Sequence, residues 1–545
     1  MPDDLAPRRF RVPREDRSLF SIPGLETAHR MIEENRSLFA GSSCSLHGRS
    51  LSDLRSSARQ DAIRLARTFT SSILQSDVLP VATDSLVVTG HQPELFHVGV
   101  WAKNFATSGA ARSSSAVPLN LVIDNDTLNH TSIRIPAGTR EHLHAEHLLF
   151  DTPRHTQPWE EGLIRNRDTI RAFGHLVRDK MRTEWGIDPL IGSNWDAGIR
   201  QSAVSDRLCD VLTAVRVHAE RAWGQRNLEL PMSRLCTSEP FLWFTAHLLM
   251  RLPELHAIYN ETVAEYRRSH QLRNRQQPVP DLVKQDDWLE APFWIWQQGD
   301  AQRGRLFVRR AGSIGELRDE KQVVTRFPWT EDGSLETAVQ ALSELPTQGY
   351  RLRTRALTTT LFARTCLADV FVHGIGGAKY DAMTDQICER LFGLKSPGFL
   401  TVSATLYLPL GGPFDVVETQ LRDINHTIRD LHYNPDRHLN GKPTQASSLV
   451  AQKHQLLEQA NELRASRQLK GKLTHDQHQQ LATINRTLQD DIATVRAEYE
   501  SRRSQIRARL TANSLIRNRE YSFVLYPEEQ VRQFLTPLAQ VAPAT

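Results

Sequence analysis

Cysteine is scarce in this 545-residue chain. Cys44, Cys209, Cys236, Cys366 and Cys388 are odd in number, far apart and never in a Cys-x-x-Cys pair. That argues against a disulfide framework and a cysteine-built zinc site, and no metal site is read from the sequence. Free thiols fit a reducing cytoplasm, the expected location. Apolar runs are short, and none approaches the about 20 residues that a membrane helix needs. The longest, Phe241 to Met250, is interrupted by Thr245 and His247, so no membrane partner is expected. The first residues, Met1-Pro2-Asp3-Asp4, show neither the basic nor the apolar part of a secretory signal. Charge of one sign is also lacking. A net +4 over this length is too slight for the basic face of a dedicated nucleic-acid binder, and no nucleic-acid partner is expected. Internal repeats and long low-complexity tracts are absent.

What remains is the composition of a soluble globular protein, 39% hydrophobic and 24% charged, long enough for more than one folding unit. The most informative stretch begins at Leu86. A β-branched run, Leu86 to Thr89, reads as a buried strand. It breaks at Gly90 into a loop containing His91, Gln92, Glu94 and His97, and from about Val100 the pattern turns helical. A second strand, Val117 to Ile123, ends directly in Asp124-Asn125-Asp126, with Asn129 and His130 just beyond. A strand followed by a polar loop and a helix is how an open α/β sheet presents ligand-binding groups. Two such ends suggest one crevice for a small-molecule substrate.

A third strand end carries the same signal. Val370-Phe371-Val372 runs into His373-Gly374-Ile375-Gly376-Gly377-Ala378-Lys379, and a helix follows from about Met383. Glycines in a strand-to-helix turn expose N–H groups at the positive end of the helix, and Lys379 adds a full charge. The turn suits phosphate or carboxylate, although no Gly-Lys-Ser/Thr follows and the spacing is not a Walker motif. Asp124 and Asp126 could hold Mg²⁺, bind a substrate amine or act as a base, against the plainer reading of a cap and a solvated turn. His91 and His97 are either pocket residues or surface and cap residues. His97-Val98-Gly99 is similar to part of the His-Ile-Gly-His element of class I aminoacyl-tRNA synthetases, with Val100 in place of the second histidine.

The two leading segments resemble those of the bacillithiol biosynthesis cysteine-adding enzymes. That family ends its first strand in Thr-Gly-Gln-Gln-x-Gly-Leu-Phe and its second in Glu-Asp-His-Asp-Phe. The counterparts here are Thr89-Gly90-His91-Gln92-Pro93-Glu94-Leu95-Phe96 and Asp124-Asn125-Asp126-Thr127-Leu128. Gly90, Gln92, Leu95 and Phe96 match, and His91 replaces a glutamine. Around Gly374, Gly376 and Gly377 the family has Gly-Gly-Pro-Gly-Glu-x-x-Tyr-like chemistry, with Lys379 here where it has a glutamate. Arg355 parallels a family arginine. The resemblance covers about residues 85 to 527.

The fold expected is a Rossmann-like parallel-sheet core with an inserted α+β subdomain and a C-terminal antiparallel coiled-coil hairpin. The segments read as a helical region 1–80, core 81–235, insertion 236–345, core 346–446, coiled coil 447–512 and return segment 513–545. The main sheet is expected to resume at Tyr350. Within the insertion, Trp294 and Trp296 sit in a strand–turn–strand pattern through Arg310, and packing is their expected role. In the last helix of the hairpin, about Thr474 to Ala512, Leu488, Ile492, Val495, Tyr499 and Ile506 form a seam, broken at Arg502. Leu456, Leu457 and Leu463 offer the partner face across a turn near Gly471-Lys472. The run Arg496 to Arg509 is interleaved with glutamates and reads as a solvated face.

The resemblance implies a homodimer and an amide-forming ligase that joins the carboxyl of cysteine to the amine of a glucosaminyl-malate acceptor. On that reading His91, His97, Asp124 and Asp126 are catalytic. Gly90, Gln92, Gly374, Gly376, Gly377 and Lys379 hold a cofactor such as ATP or ADP, and Asn125, Arg355 and His373 hold substrate. Two alternatives stand beside it: an ATP-using ligase or nucleotidyl transferase acting on another small molecule, and a non-catalytic coiled-coil interaction protein.

Overall fold

The computed structural model describes residues 10–274, 276–300, 302–329, 334–439, 444–465 and 474–540. The chain forms two compact units. The first takes Met1–Ile135, His147–Pro409 and Arg519–Thr545, and the second Pro136–Glu146 and Leu410–Asn518.

The first unit is built on a six-stranded, mostly parallel sheet. Its strands are near-continuous apolar runs, such as Leu86-Val87-Val88 and Val370-Phe371-Val372, because both faces are covered. Leu86–His91 lies in the middle, parallel to Val117–Val122 on one side and to Val370–His373 on the other. Leu228–Pro231 extends the first side and Phe399–Thr405 the second, both again parallel. Ser18–Ile22 closes the second edge as an antiparallel strand. Counted along the chain from Leu86, the five parallel strands stand in the order 3-2-1-4-5. The order reverses between Leu86–His91 and Val370–His373. Loops leaving two strands at such a reversal diverge and open a crevice at their carboxyl ends.

The opposite, amino edge is clasped shut. Asp369 precedes the Val370 strand and takes Arg36 on Oδ2 at 3.2 Å, and Arg55 at 3.3 Å together with Arg59 on Oδ1. Ser85, just before the Leu86 strand, donates to the same carboxylate at 2.7 Å. Burial alone would raise the Asp369 pKa, but the arginines and Ser85 outweigh it and hold it below the usual carboxylate value. Arg55 and Arg59 spend further N–H groups on the carbonyls of Thr365, Ala368 and Leu367. Every cation here has a counter-charge.

The insertion contains its own antiparallel sheet. Trp288–Gln297 pairs with Gly304–Ala311 as the tryptophan pattern predicts, and Ile314–Arg318 and Val323–Pro328 continue the order. Tyr350–Thr354 does not rejoin the main sheet. It runs antiparallel to Phe293–Gln297 and completes the inserted sheet. The reason is visible in its residues. Tyr350-Arg351-Leu352-Arg353-Thr354 alternates polar and apolar groups, whereas the main-sheet strands are apolar on both faces.

The second unit is helical and wider than the segment 447–512 read from composition. Besides Pro136–Glu146 it takes Leu410–Asn518, which includes the helix Glu418–Tyr433. The helix expected over Thr474 to Ala512 is two helices, His475–Asp491 and Ala493–Ile516, broken at Ile492. Asp490 and Asp491 place two negative charges on the carbonyl end of the first, where the helix dipole disfavours them. The seam residues Leu488, Ile492 and Ile506 are buried, but their partners change along the way. Ile484 and Leu488 pack with Ala446, Leu449, Val450 and Leu456 of Thr444–Ala465, while Ala493–Ile516 lies against Glu418–Tyr433. The expected turn at Gly471-Lys472 and the side chain of Leu463 fall outside the described residues.

Candidate functional site

The three strand ends meet as their position predicts, but several side chains turn away from the crevice. His91 closes the first strand and points inward. Its Nε2 contacts Asn104 Oδ1 at 3.1 Å and its Nδ1 the Gln92 carbonyl at 3.1 Å. Asn104 continues into a buried network, donating to Glu220, which pairs with Arg216. Burial first, then the Lys103 and Arg216 charges, drive the His91 pKa well below its ordinary value. It is a neutral core histidine. His97 is a helix cap: its Nδ1 accepts the Gly99 N–H at 3.1 Å at the start of Val98–Ser113. Burial, Arg519 and Lys103 push its pKa down to about 3. The cap reading holds for His97, whereas His91 is neither a surface nor a cap residue but a buried one.

Gln92 does reach across. Its Nε2 donates to Asp126 Oδ2 at 2.7 Å, joining the first two strand ends. Asp126 Oδ1 stands 3.1 Å from Arg303, which comes from the insertion and donates to the Asn125 carbonyl at 2.9 Å and Thr127 Oγ1 at 2.6 Å. Asn125 Nδ2 donates to the Thr354 carbonyl at 2.9 Å, while its buried Oδ1 has no partner. Asp124 is buried and turns to Ser233, whose N–H it accepts at 2.8 Å and whose hydroxyl donates to its other oxygen. Burial and Glu160 lift the Asp124 pKa to about 7, against the Ser233 bonds and Arg353. Its place is at the exit of the Leu228–Pro231 strand rather than beside Asp126.

Arg355 caps the helix Ala356–Phe362, pairs with Glu290 at 2.7 Å and lies 4.1 Å from the centre of the Trp294 ring. Arg303 stands over the same ring at 4.8 Å. Trp294 is half-buried and Trp296 buried, so only the first of the two rings is reached by solvent to any extent. Glu94 lies within electrostatic reach of Asp126 and His130. Solvent reaches it, yet burial by surrounding atoms and the Asp126 charge raise its pKa, with His130 opposing.

The glycine-rich segment is not a loop. Gly374 is the cap of the helix Ile375–Phe392, and Gly376 and Gly377 occupy its first turn. His373 faces the interior, between Phe371 and Phe399, with Nε2 2.9 Å from Asp381 Oδ2. Arg364 donates to the same oxygen at 2.5 Å. Lys379 is exposed on the side of the helix, and its carbonyl accepts the Tyr266 hydroxyl at 2.9 Å.

The cation at the strand reversal is a different lysine. All residues of Val98–Ser113 from Val98 to Ala111 except Val100 are buried, and Lys103 stands among them at 5% exposure. Its Nζ donates to the Gly90 carbonyl at 2.7 Å. Its stem would touch a side chain at Gly374, 3.6 Å from Cδ. Lys103 therefore bridges the ends of the two strands between which the order reverses. Burial alone lowers its pKa to about 7. A second cation, Arg519, lies across the first turn of the same helix so closely that Gly99 has no room for a side chain. Arg519 donates to Ser403 Oγ at 3.0 Å, and its Nε has no partner. Among the described residues no carboxylate forms an ion pair with Lys103 or Arg519. The signal for Lys103 was a lone charge within an otherwise apolar helical stretch, Val98 to Ala111. Nothing local marks Arg519, which arrives from the return segment.

The carboxyl edge thus has two poles. One gathers Lys103, Arg519 and the amino ends of Val98–Ser113 and Ile375–Phe392. The other gathers Gln92, Glu94, Asp126, Arg303 and Trp294. No model of a protein family matches the sequence, and a search of curated proteins finds no match.

Proposed function

We propose that the protein is an enzyme of small-molecule metabolism that joins a carboxyl group to an amine, with cysteine and an amino sugar as the pair suggested by its strand-end motifs. The observation that carries this reading is Lys103. A buried ammonium without a counter-charge costs several kcal/mol, so a protein keeps one where a ligand supplies the charge. The strand order 3-2-1-4-5 is that of Rossmann-like sheets, and the reversal is where such sheets bind ligands. Two helix amino ends and Arg519 favour the same anionic group, a phosphate or the substrate carboxylate.

A nucleotide such as ATP would supply the leaving group that activates the carboxyl, and the cationic pole has the N–H groups and positive charge its phosphates require. Lys103 and Arg519 offset negative charge as it develops on the transferring group. Glu94 and Asp126 face the amine. Glu94, its pKa raised, is the group suited to take the proton that an ammonium must lose before it attacks. Trp294 and Arg355 wall the acceptor side. His91, His97 and Asp124 act through position: one braces the loop, one caps the helix, one anchors the neighbouring strand. A homodimer remains part of the proposal on resemblance alone.

Two measurements test it. Calorimetry with inorganic phosphate and ADP should show Lys103→Met binding about tenfold or more weakly than wild type, the 1–3 kcal/mol of a lost charge-assisted bond. Mass spectrometry of protein incubated with ATP, cysteine and glucosaminyl-malate should show the amide. Equal anion affinities would remove the cationic pole, and a working cationic pole with no amide from that mixture would overturn the ligase reading.

A further inference from the structure

Beyond the Asp369 clasp, the amino edge of the main sheet opens into a cleft of about 480 Å³. It lies where Val117–Val122 and Leu228–Pro231 begin, at the opposite end of those strands from the crevice. Val117 and Leu228 are its buried residues, and Leu74, Val78, Leu79 and Val81 continue a mostly apolar lining. All of it belongs to the first unit.

The segment that follows the helix Leu51–Leu74 shapes the cleft. Gln75 ends the helix in the left-handed region, at φ 52° and ψ 35°. The chain is then pinned at Val78 through both backbone groups. Its N–H donates to Ser71 Oγ at 3.1 Å, and its carbonyl accepts Arg67 at 3.0 Å. Next to this fixed point stands Leu79, 80% exposed and the most exposed large apolar side chain among the described residues. Pro80, also exposed, follows in the lining. Burying a leucine is favourable, yet this one faces water on the rim of an apolar cleft. Apolar surface collected in one exposed place marks an interaction site.

Charge is confined to three lining residues, Asp77, Arg221 and Arg226. Both arginines are held by backbone carbonyls just past the helix Leu208–Ala222. Arg221 donates to Gln225 at 3.0 Å and to Asn227 at 2.8 Å, and Arg226 donates to Gln225 at 2.9 Å and to Arg221 at 3.3 Å. Each guanidinium is thus fixed in place with N–H groups of its fork unspent. The carboxylates that act on Arg221, Glu220 and Glu229, are both bound by Arg216. Arg226 is exposed and, among the described residues, forms no ion pair.

We propose that this cleft binds an aliphatic carboxylate, with the chain against Leu79, Val117 and Leu228 and the head on Arg221 and Arg226. A mostly apolar lining with a few polar groups, around a space of this size, is that of an ordinary small-molecule pocket. A guanidinium already held by carbonyls loses little freedom when a carboxylate takes its remaining N–H groups. Asp77 repels a second negative charge and so selects a monoanion over a diacid. The site does not depend on the reaction assigned to the crevice.

Decanoate is the probe, titrated by calorimetry into the full-length Lys103→Met protein so that the crevice does not contribute. Binding of one equivalent is expected, with butyrate and decanol each at least severalfold weaker. Adding Arg226→Glu should weaken decanoate about tenfold or more, the scale of a charge-assisted contact replaced by a repulsion, and leave decanol unchanged. Adding Leu79→Asp instead should weaken decanoate and decanol alike, because it removes apolar surface from the rim. Both positions are exposed, so the melting temperature should stay near that of the parent protein. Absence of decanoate binding overturns the proposal. So does equal affinity with and without Arg226→Glu, or decanol or decylammonium binding as tightly as decanoate.

Discussion

Lys103 shows how a single residue can set function against stability. Its pKa falls from the ordinary lysine value to about 7 in the folded protein. Between about pH 7 and the ordinary lysine pKa of roughly 10.4, the unfolded chain binds a proton that the folded chain does not. Stability therefore rises with pH across that window, and below about pH 7 the full cost of burying the charge is present. Lys103→Met keeps the stem and removes the charge. It should raise stability at pH 6–7 by about 1–4 kcal/mol, the range seen when buried charges give way to apolar groups, with the gain shrinking by pH 10. Denaturant unfolding at three pH values checks this, and a destabilised variant would mean that Lys103 holds Gly90 structurally. The same scale explains what the residues concealed. Gly90, Gln92 and Asp126 could be placed from the sequence because strand ends carry ligands. The inward turn of His91 depends on Asn104 in the helix that follows, and the turn of Asp124 depends on Ser233, far away in the chain.

At the scale of elements, the helix Ile375–Phe392 is the clearest case of a motif read correctly in place and differently in form. Three glycines after a strand suggested a loop, yet Gly374 is a cap and the other two are helical. The helix starts early because the Val370 strand is short and Gly374 takes an extended cap conformation, φ −82° and ψ 166°. Gly376 faces open space, so a methyl group meets nothing there. At Gly377 a Cβ would come within 3.0 Å of His373 Nδ1. Gly376→Ala should therefore stabilise the protein by about 0.5–1 kcal/mol, the ordinary helical preference of alanine over glycine. Gly377→Ala should gain less or lose, since the His373 ring is confined by Phe371 and Phe399. Thermal unfolding of the pair decides the point. Tyr350–Thr354 gives the complementary lesson. Its alternating residues announced an antiparallel strand, but its closeness to the Val370 strand in sequence drew it wrongly to the main sheet.

For the whole molecule, the strand-end motifs indicated a parallel α/β core, because apolar runs buried on both faces occur in such sheets. The strand order was not legible, since parallel pairing joins Leu86–His91 to a strand that begins nearly three hundred residues later and nothing local encodes it. The second unit was recognised by composition, though its extent was not. Glu418–Tyr433 supplies the partner of Ala493–Ile516, and a boundary at 447 would strip one from the other. The unit boundary gives a sharper cut. Replacing 410–518 with a flexible Gly/Ser linker removes all four helices together and leaves the main sheet, the inserted sheet and Arg519 in one chain. That shortened protein should remain soluble, unfold cooperatively and bind phosphate as the full chain does, because Lys103, Gly90, Gly374, Arg519 and Ser403 all belong to the first unit. Removal of 447–512 alone should give a less soluble product, since it exposes the face of Glu418–Tyr433 on which Ile424 and Leu431 are buried. Circular dichroism and phosphate calorimetry on the two deletions test this together. A 410–518 replacement that fails to fold would make the helical unit part of the core.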